Sequence, residues 1–143
     1  MLPVYVFDLD GTLADCRHRV PLIPDWDAFF AACGEDLPIW PVIQTAKRLT
    51  TSAEVWIVSG RNEQARNATA HWLERHGLDP EQVKFMRPHK DHRPDDEVKR
   101  EWLHSLAPDD RARIVAVFDD RDCVVDMWRS EGLPCFQVAP GAF

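Results

Sequence analysis

Three short apolar segments without polar–apolar alternation constrain the fold of this chain most strongly. They are VYVF at Val4–Phe7, EVWIVSG at Glu54–Gly60 and RIVAVFDD at Arg113–Asp120. A strand covered on both faces has no solvent side, so it lacks the period of two that half-exposed strands show. Such segments are typical of the inner strands of a parallel sheet with helices on both faces.

Helical patterns separate these segments. Helices are predicted around Val42–Leu49, over Asn62–His76, around Val98–Leu106 and around Val124–Trp128, with further strands at Val83–Met86 and Cys135–Ala139. Gly77 and Gly132 are placed to end the second and fourth helices. The third helix has Asp95 or Asp96 as a candidate N-cap. The alternation of strands and helices predicts an α/β fold built on a parallel sheet.

Residues 14–41 interrupt the alternation directly after the first strand. This segment contains PLIPDWDAFF and four prolines, and it shows no strand pattern. It is too short to fold as a domain, so we predict a small insertion that acts as a flap or cap. Trp26 in this insertion either packs the flap or stacks a nucleobase over the site.

Length, charge and cysteine usage set further bounds. A length of 143 residues suits one domain, residues 1–143. The formal net charge of -7 argues against non-specific duplex binding, which needs a broad basic face. No apolar run is as long as a membrane span, and no signal-peptide pattern is present. Four widely spaced cysteines without a CxxC pair fit a reduced, cytoplasmic chain.

Polar residues follow each of the three apolar strands. These residues are Asp8 and Asp10 after the first strand, Ser59, Gly60 and Arg61 at the second, and Asp119 and Asp120 at the third. The carboxyl ends of parallel strands lie at one edge of a sheet, where ligands bind in open α/β folds. We therefore expect all three sets to meet in one site.

The charges of that site favour a hard cation and phosphoryl chemistry. Four carboxylates near one point suit Mg²⁺, with Arg61 and Lys99 returning positive charge. An ionised aspartate can attack phosphorus and form an acyl phosphate, while a second aspartate protonates the leaving alkoxide and later activates water. The Ser59 hydroxyl can donate a hydrogen bond to a phosphoryl oxygen.

Each feature also has a simpler interpretation. A calcium-binding loop at Asp8 is disfavoured because Thr12 and Leu13 stand where an acid and a glycine are required. The pair Asp119–Asp120 can cap the following helix, and Ser59 with Gly60 can form a turn. The cations Lys99, Arg61 and Arg19 can be surface residues.

Taken together, the motifs resemble those of a known family. DLDGTL at Asp8–Leu13, Ser59, Lys99 and the pair Asp119–Asp120 resemble the four signature motifs of the haloacid dehalogenase-like phosphatases. SGR at Ser59–Arg61, DDEVKREW at Asp95–Trp102 and the segment Phe118–Phe143 resemble the 3'-phosphatase domain of bacteriophage polynucleotide kinase-phosphatase. The resemblance implies a Rossmann-like three-layer haloacid dehalogenase fold with a small cap after the first strand.

The resemblance implies a role for each acid. Asp8 corresponds to the nucleophile, and Asp10 to a general acid/base whose main-chain carbonyl also binds magnesium. Asp120 corresponds to a carboxylate ligand of the metal, with Asp119 as a supporting acid. Asp95 corresponds to an acid that orients Lys99 or an arginine. The metal ligands are thus Asp8, Asp10 and Asp120.

The remaining site residues correspond to groups that handle the phosphate. Those that contact it in this resemblance are Ser59, Gly60, Thr12 and Arg19. Lys99 neutralises the nucleophile and the phosphate, and Arg61 is a second catalytic cation.

The function implied is magnesium-dependent removal of the 3'-phosphate from polynucleotide ends or nucleotides through an aspartyl-phosphate. A small-molecule phosphatase for mononucleotides or sugar phosphates is the alternative, and a non-catalytic module that binds nucleic-acid ends is a third. No GxxxxGK[ST] stretch is present, so no kinase domain is expected. No membrane or obligate protein partner is expected, and monomer and dimer both stay open. The basic loop RPHKDHRP, Arg87–Pro94, is either a solvated loop or a contact for neighbouring phosphates.

Overall fold

A computed structural model describes all 143 residues and confirms the α/β fold with a parallel sheet. Seven strands are present: β1 Val4–Phe7, β2 Ala14–Asp15, β3 Leu37–Pro38, β4 Glu54–Asn62, β5 Val83–Arg87, β6 Ile114–Asp119 and β7 Cys135–Gln137. Five of them form one parallel sheet in the order β5-β4-β1-β6-β7. The other two, β2 and β3, pair as a separate antiparallel ribbon.

Six α-helices connect or flank the strands. They are α1 Trp26–Ala31, α2 Trp40–Leu49, α3 Arg66–Arg75, α4 Asp95–Ser105, α5 Pro108–Ala112 and α6 Asp122–Ser130. Short 3₁₀ segments lie at Arg17–Leu22, Ala32–Glu35, Glu63–Ala65 and Pro80–Gln82. No helix has both the length and the apolar character needed to span a bilayer.

The helices cover both faces of the sheet and create three layers. On one face, Val6 of β1 belongs to the same buried cluster as Trp102 of α4 and Trp128 of α6. On the other face, Phe7 belongs to a cluster with α2 and Trp72 of α3. Successive side chains of a strand point to opposite faces, so an apolar run without alternation supplies both cores.

The strand order places a crevice beside the first strand. The chain runs from β1 to β4 and β5 on one side and then crosses to β6 and β7 on the other. The direction reverses between β1 and β6, and such a switch point is where ligands bind at the carboxyl ends of open sheets.

Two predicted boundaries are wrong. Asn62 does not start a helix, because it still pairs with Arg87 across the sheet and a 3₁₀ turn precedes α3. Neither Asp95 nor Asp96 caps α4, because both lie inside it after Pro94. The ends of α3 and α6, each two residues before the predicted glycine stop, agree with prediction.

The insertion, residues 14–41, has more order than its sequence predicts. The expectation that it contains no strand is wrong, because Ala14–Asp15 pairs with Leu37–Pro38 and closes its two ends. Between them, Trp26 packs edge-on against Phe29 with ring centroids 5.5 Å apart and stays about half exposed. The structure therefore favours packing of Trp26 within the insertion.

Candidate active site

A tight turn after β1 brings the first acids to the third strand. The Asp8 amide donates to the Phe118 carbonyl of β6 at 2.9 Å, which fixes the end of β1 against β6. Gly11 then adopts a φ of 83°, a left-handed conformation that favours glycine. A Cβ atom on Gly11 would overlap the Asp120 carboxylate. The glycine of the DxDG motif therefore allows the two acidic strand ends to approach each other.

Three buried carboxylates form the centre of the site. Asp8, Asp119 and Asp120 each offer an oxygen within 4.8 Å of the others. The Thr12 hydroxyl lies 3.2 Å from Asp8 Oδ2 and 3.3 Å from Asp120 Oδ1. Burial, followed by repulsion from Asp119, raises the pKa of Asp8 well above its ordinary value and also raises the pKa of Asp120.

Lys99 supplies the buried positive charge of this cluster. Its Nζ donates to Asp8 Oδ1 at 2.8 Å and to Asp119 Oδ2 at 3.2 Å. Burial alone would lower the pKa of Lys99, but the attraction of Asp119, Asp8 and Asp95 outweighs it and raises that pKa well above its ordinary value. Lys99 is fully buried and charged, so the interpretation of a surface lysine is excluded.

Asp119 is held by groups other than a helix end. Its Oδ2 accepts a hydrogen bond from Trp128 Nε1 at 3.1 Å, and its Oδ1 accepts one from the Asp120 amide at 2.9 Å. The N-cap of α6 is Arg121, which makes no side-chain capping bond. The helix-capping interpretation of Asp119 and Asp120 is therefore wrong.

Ser59 and Gly60 lie inside β4, so the turn interpretation is also wrong. Ser59 is 1% exposed, and its Oγ accepts a hydrogen bond from the Arg61 amide at 3.1 Å. A Cβ atom on Gly60 would overlap the Asp95 carboxylate. Arg87 bridges this approach, donating to the Gly60 carbonyl at 2.9 Å and to Asp95 Oδ1 at 3.0 Å. The expected orienting role of Asp95 therefore has a geometric basis, since Asp95 Oδ2 also lies 3.7 Å from Lys99 Nζ.

Two buried arginines hold Asp10 on the opposite side of the turn. Asp10 Oδ1 accepts hydrogen bonds from Arg61 Nε at 2.9 Å, from Arg61 Nη2 at 2.8 Å and from Arg19 Nη2 at 2.8 Å. Burial would raise the pKa of Asp10, but the two guanidinium groups, Arg61 before Arg19, lower it. Both arginines are fully buried, which excludes the interpretation that they are surface residues.

Asp36 is a residue of this arrangement that the sequence did not reveal. Its buried carboxylate contacts both Arg19 and Arg61. It lies in the insertion outside any motif, and its only sequence signal is indirect. Two arginines brought to one site need more negative charge than Asp10 alone supplies.

The structure thus brings every predicted site residue to one edge of the sheet, in two groups. The carboxylates of Asp8, Asp119 and Asp120 surround Lys99, and Asp10 faces the arginines. Several carboxylate oxygens at a single point are the donor set that Mg²⁺ prefers, so these residues fit that ion. All three arginine hydrogen bonds to Asp10 end on Oδ1, so the arginines engage neither Oδ2 nor the main-chain carbonyl.

Comparisons with known proteins found similar sequences over most of this chain. The family model of the polynucleotide kinase PNKP phosphatase domain matches residues 3–143. A protein of Autographa californica nuclear polyhedrosis virus, described as a bifunctional polynucleotide kinase/RNA ligase, is 32% identical over 130 residues, which are 89% of this chain and 18% of the viral protein. The chain therefore spans less than a fifth of that relative.

Solved structures show the same fold. A chain in the structure of a Pnkp1/Rnl/Hen1 complex superposes with a TM-score of 0.83 at 34% identity, covering 99% of this chain and 48% of that one. A haloacid dehalogenase-like family hydrolase from Streptococcus pneumoniae superposes with a TM-score of 0.60 at 17% identity, covering 95% of this chain and 84% of that one. The second likeness is one of fold alone.

Proposed function

We propose, because this chain belongs to the family of the polynucleotide kinase PNKP phosphatase domain, that it removes the 3'-phosphate from polynucleotide ends or nucleotides with the help of Mg²⁺. Membership makes it a haloacid dehalogenase-like phosphatase. The observation that carries the proposal is the contact of buried Asp8 with Lys99 beside two further carboxylates. The viral relative described as a bifunctional polynucleotide kinase/RNA ligase supports a nucleic-acid end as the substrate.

In the first proposed step, an Asp8 carboxylate oxygen attacks the substrate phosphorus. The bond from phosphorus to the 3'-oxygen breaks, and the protonated form of Asp10, which the arginine contacts disfavour, gives its proton to that oxygen. Lys99, already 2.8 Å from Asp8, compensates negative charge on the nucleophile and on the phosphoryl oxygens. The product on the enzyme is an aspartyl-phosphate at Asp8.

In the second step, Asp10 takes a proton from water as the water oxygen attacks phosphorus. The bond from phosphorus to Asp8 breaks, and inorganic phosphate leaves. The ionised form of Asp10 that its arginine contacts favour is the form this step requires. We expect Ser59 and the arginines to hold the phosphoryl oxygens through both steps.

Mg²⁺ would be held by the Asp8 and Asp120 carboxylates and the Asp10 main-chain carbonyl, with Asp119 supporting Asp120. When bound, the ion supplies positive charge for the phosphoryl oxygens and lowers the repulsion between buried carboxylates. Gly11 permits the close approach of Asp120 on which this ligand set depends.

We also propose a role for the insertion and a cellular location for the protein. We propose that residues 14–41 serve as the cap of the site, since this segment contributes Arg19 and Asp36. All four cysteines are free thiols, which suits the reducing cytoplasm.

Phosphate release from oligonucleotides tests the proposal directly. We expect Mg²⁺-dependent release from a 3'-phosphorylated oligonucleotide, with no comparable release from its 5'-phosphorylated twin or in EDTA. RNA and DNA versions and a 3'-mononucleotide are measured in parallel, and the Asp8→Asn variant controls for contaminating phosphatases. Failure to release phosphate from both 3'-oligonucleotides and from the 3'-mononucleotide would contradict the proposal.

A second candidate, a phosphatase for mononucleotides or sugar phosphates, is favoured by the net charge of -7. The same residues would perform the same chemistry on a smaller alcohol. Faster release from the 3'-mononucleotide than from the oligonucleotide would establish this candidate in place of the first.

The basic loop Arg87–Pro94 supports the polynucleotide as substrate. Arg87 ties this loop to the Gly60 carbonyl at 2.9 Å, so the loop begins at the rim of the site. Arg93 is paired with Asp91 at 2.8 Å, whereas Lys90 is exposed and forms no ion pair. We propose that Lys90 contacts a backbone phosphate of the strand whose end enters the site.

Replacement of Lys90 by alanine is expected to raise KM for a 3'-phosphorylated single strand and to lower the salt dependence of KM by about one charge. The KM for a 3'-mononucleotide stays unchanged, because that substrate has no neighbouring phosphate. Lys84→Ala is the matched control, since Lys84 is also exposed but near the opposite end of β5. An equal effect on both substrates would argue against the contact.

A further inference from the structure

We propose that Asp36 is a positioning residue that holds Arg19 and Arg61 side by side next to Asp10. The inference rests on the proposed role of the two arginines in holding phosphate. It assigns to the insertion a function beyond covering the site, because its acid completes the charge balance of two cations, one of which belongs to the core strand β4.

The contacts of the Asp36 carboxylate use both of its oxygens. Oδ1 accepts from Arg19 Nε at 2.8 Å, and Oδ2 accepts from Arg19 Nη2 at 2.7 Å. The same Oδ2 accepts from Arg61 Nη2 at 2.9 Å. The paired contact with Arg19 fixes the plane of its guanidinium group, and the shared oxygen sets the spacing to Arg61.

Burial explains why a second acid is required. The side chains of Arg19, Arg61 and Asp36 have 0% exposure, whereas that of Asp10 has 23%. Two buried guanidinium groups repel each other, and one carboxylate balances only one of them. Asp36 supplies the second negative charge on the side away from solvent.

The difference in exposure between Asp10 and Asp36 determines which of these two acids competes with an incoming phosphate group for the arginines. Neither arginine side chain is exposed, so a phosphate that approaches from solvent reaches their N–H groups where it replaces the partly exposed Asp10 carboxylate. The contacts with Asp36 lie on the enclosed side, where they keep both arginines in place during that exchange. Asp36 Oδ1 also lies 2.7 Å from Nε2 of partly exposed His18, and we infer that Asp36 acts on the substrate through the arginines.

The surroundings hold Asp36 itself in a fixed position. Its main-chain carbonyl accepts a hydrogen bond from Trp72 Nε1 of α3 at 2.8 Å. Arg61 is further anchored on Thr69 Oγ1 at 2.9 Å, and the Arg19 guanidinium lies 4.4 Å from the centre of the Phe29 ring. A displacement of the Asp36 carboxylate would thus move the arginines and leave their other contacts unsatisfied.

The first test is Asp36→Asn, which keeps the shape and removes the charge. We expect kcat/KM to fall by about 10²-fold, the scale of a misplaced binding group. Most of this change is expected as a rise in KM, with a parallel rise in the inhibition constant of inorganic phosphate. Asp36→Glu, which restores the charge, is expected to recover part of the phosphate affinity. Glu35→Gln removes the same charge from the exposed neighbour and is expected to change neither constant.

Double-variant analysis separates positioning from a general loss of structure. Asp36→Asn added to Arg61→Gln is expected to weaken phosphate inhibition by less than the product of the two single effects, since the part of the Asp36 effect that acts through Arg61 is already lost. This pair also removes opposite buried charges together, so it keeps the test available if Asp36→Asn alone does not fold. Fully additive losses would overturn the inference.

The substrate p-nitrophenyl phosphate, used beside the oligonucleotide, distinguishes the possible failures. Unchanged KM and phosphate inhibition in folded Asp36→Asn, with Arg61→Gln impaired, would overturn the role of Asp36 alone. A harmless Arg61→Gln would overturn the proposed role of that arginine and the inference with it. Turnover of p-nitrophenyl phosphate without release from 3'-oligonucleotides would overturn only the proposed substrate.

Discussion

Replacement of Asp8 by asparagine is expected to reduce turnover by about 10⁴-fold or more. An amide oxygen is a poor nucleophile towards phosphorus, so no aspartyl-phosphate can form. The loss should be the same for every substrate, because the step removed is common to all of them. Substrate labelled in its phosphoryl group should transfer label to the wild-type protein on acid quenching and transfer none to the variant.

The same substitution is expected to leave stability in EDTA equal to or above that of the wild type. Asp8 is buried among Asp119, Asp120 and Asp95, and these neighbours together with burial raise its pKa. Removing its charge therefore relieves repulsion, while Lys99 keeps its contact with Asp119 at 3.2 Å. A catalytic group that costs stability is typical of a functional site.

Thermal unfolding in EDTA checks the stability, and Asp126→Asn on the exposed face of α6 is the matched control for loss of one acid. Retained turnover in the folded Asp8→Asn protein would contradict the covalent route and indicate direct attack by water. A variant that does not fold would contradict the charge argument.

The strand ends were predictable because two physical rules act together on them. Strands buried on both faces are visible as unbroken apolar runs, and parallel strands put their carboxyl ends at one edge. Asp8, Ser59 and Asp119 therefore had to lie near one another whatever the loop conformations. Lys99 lies on a helix, to which the rule for strand ends does not apply, so its predicted place in the site rested mainly on the family resemblance.

The insertion was predicted poorly because its order comes from long-range pairing. Two strands of two residues each are too short to show alternation. Asp36 has no motif of its own, and its partners Arg19 and Arg61 are distant in the sequence. Only the folded chain shows that two buried cations meet there.

The boundaries that failed were decided by tertiary contacts over local preference. Asn62 has the sequence position of a helix start, but its pairing with Arg87 extends β4. Asp95 has the chemistry of an N-cap, but its carboxylate engages Arg87 at 3.0 Å. In both cases a residue near the site is committed to a longer-range contact, a conflict that is expected at functional positions.

Replacement of Lys99 by methionine is expected to lower both stability and turnover. Methionine fills a similar volume without charge, so Asp8 and Asp119 lose their shared cation. Removal of one partner of a buried ion pair lowers the free energy of unfolding by about 3 kcal/mol. Loss of a preorganised positive charge at the reacting group reduces turnover by about 10²–10³-fold.

Urea unfolding in EDTA measures the first effect and phosphate release measures the second, with Lys84→Met, exposed on β5, as the control. Asp8→Asn in the Lys99→Met background distinguishes lost charge balance from lost packing. The double variant is expected to regain stability, because opposite buried charges are then removed together, while turnover stays absent. Wild-type stability of the single Lys99→Met protein in EDTA would show that Lys99 does not compensate the carboxylates. Charge balance predicts a stable Asp8→Asn protein, an unstable Lys99→Met protein and a double variant that recovers stability. A difference in packing alone would not produce all three results.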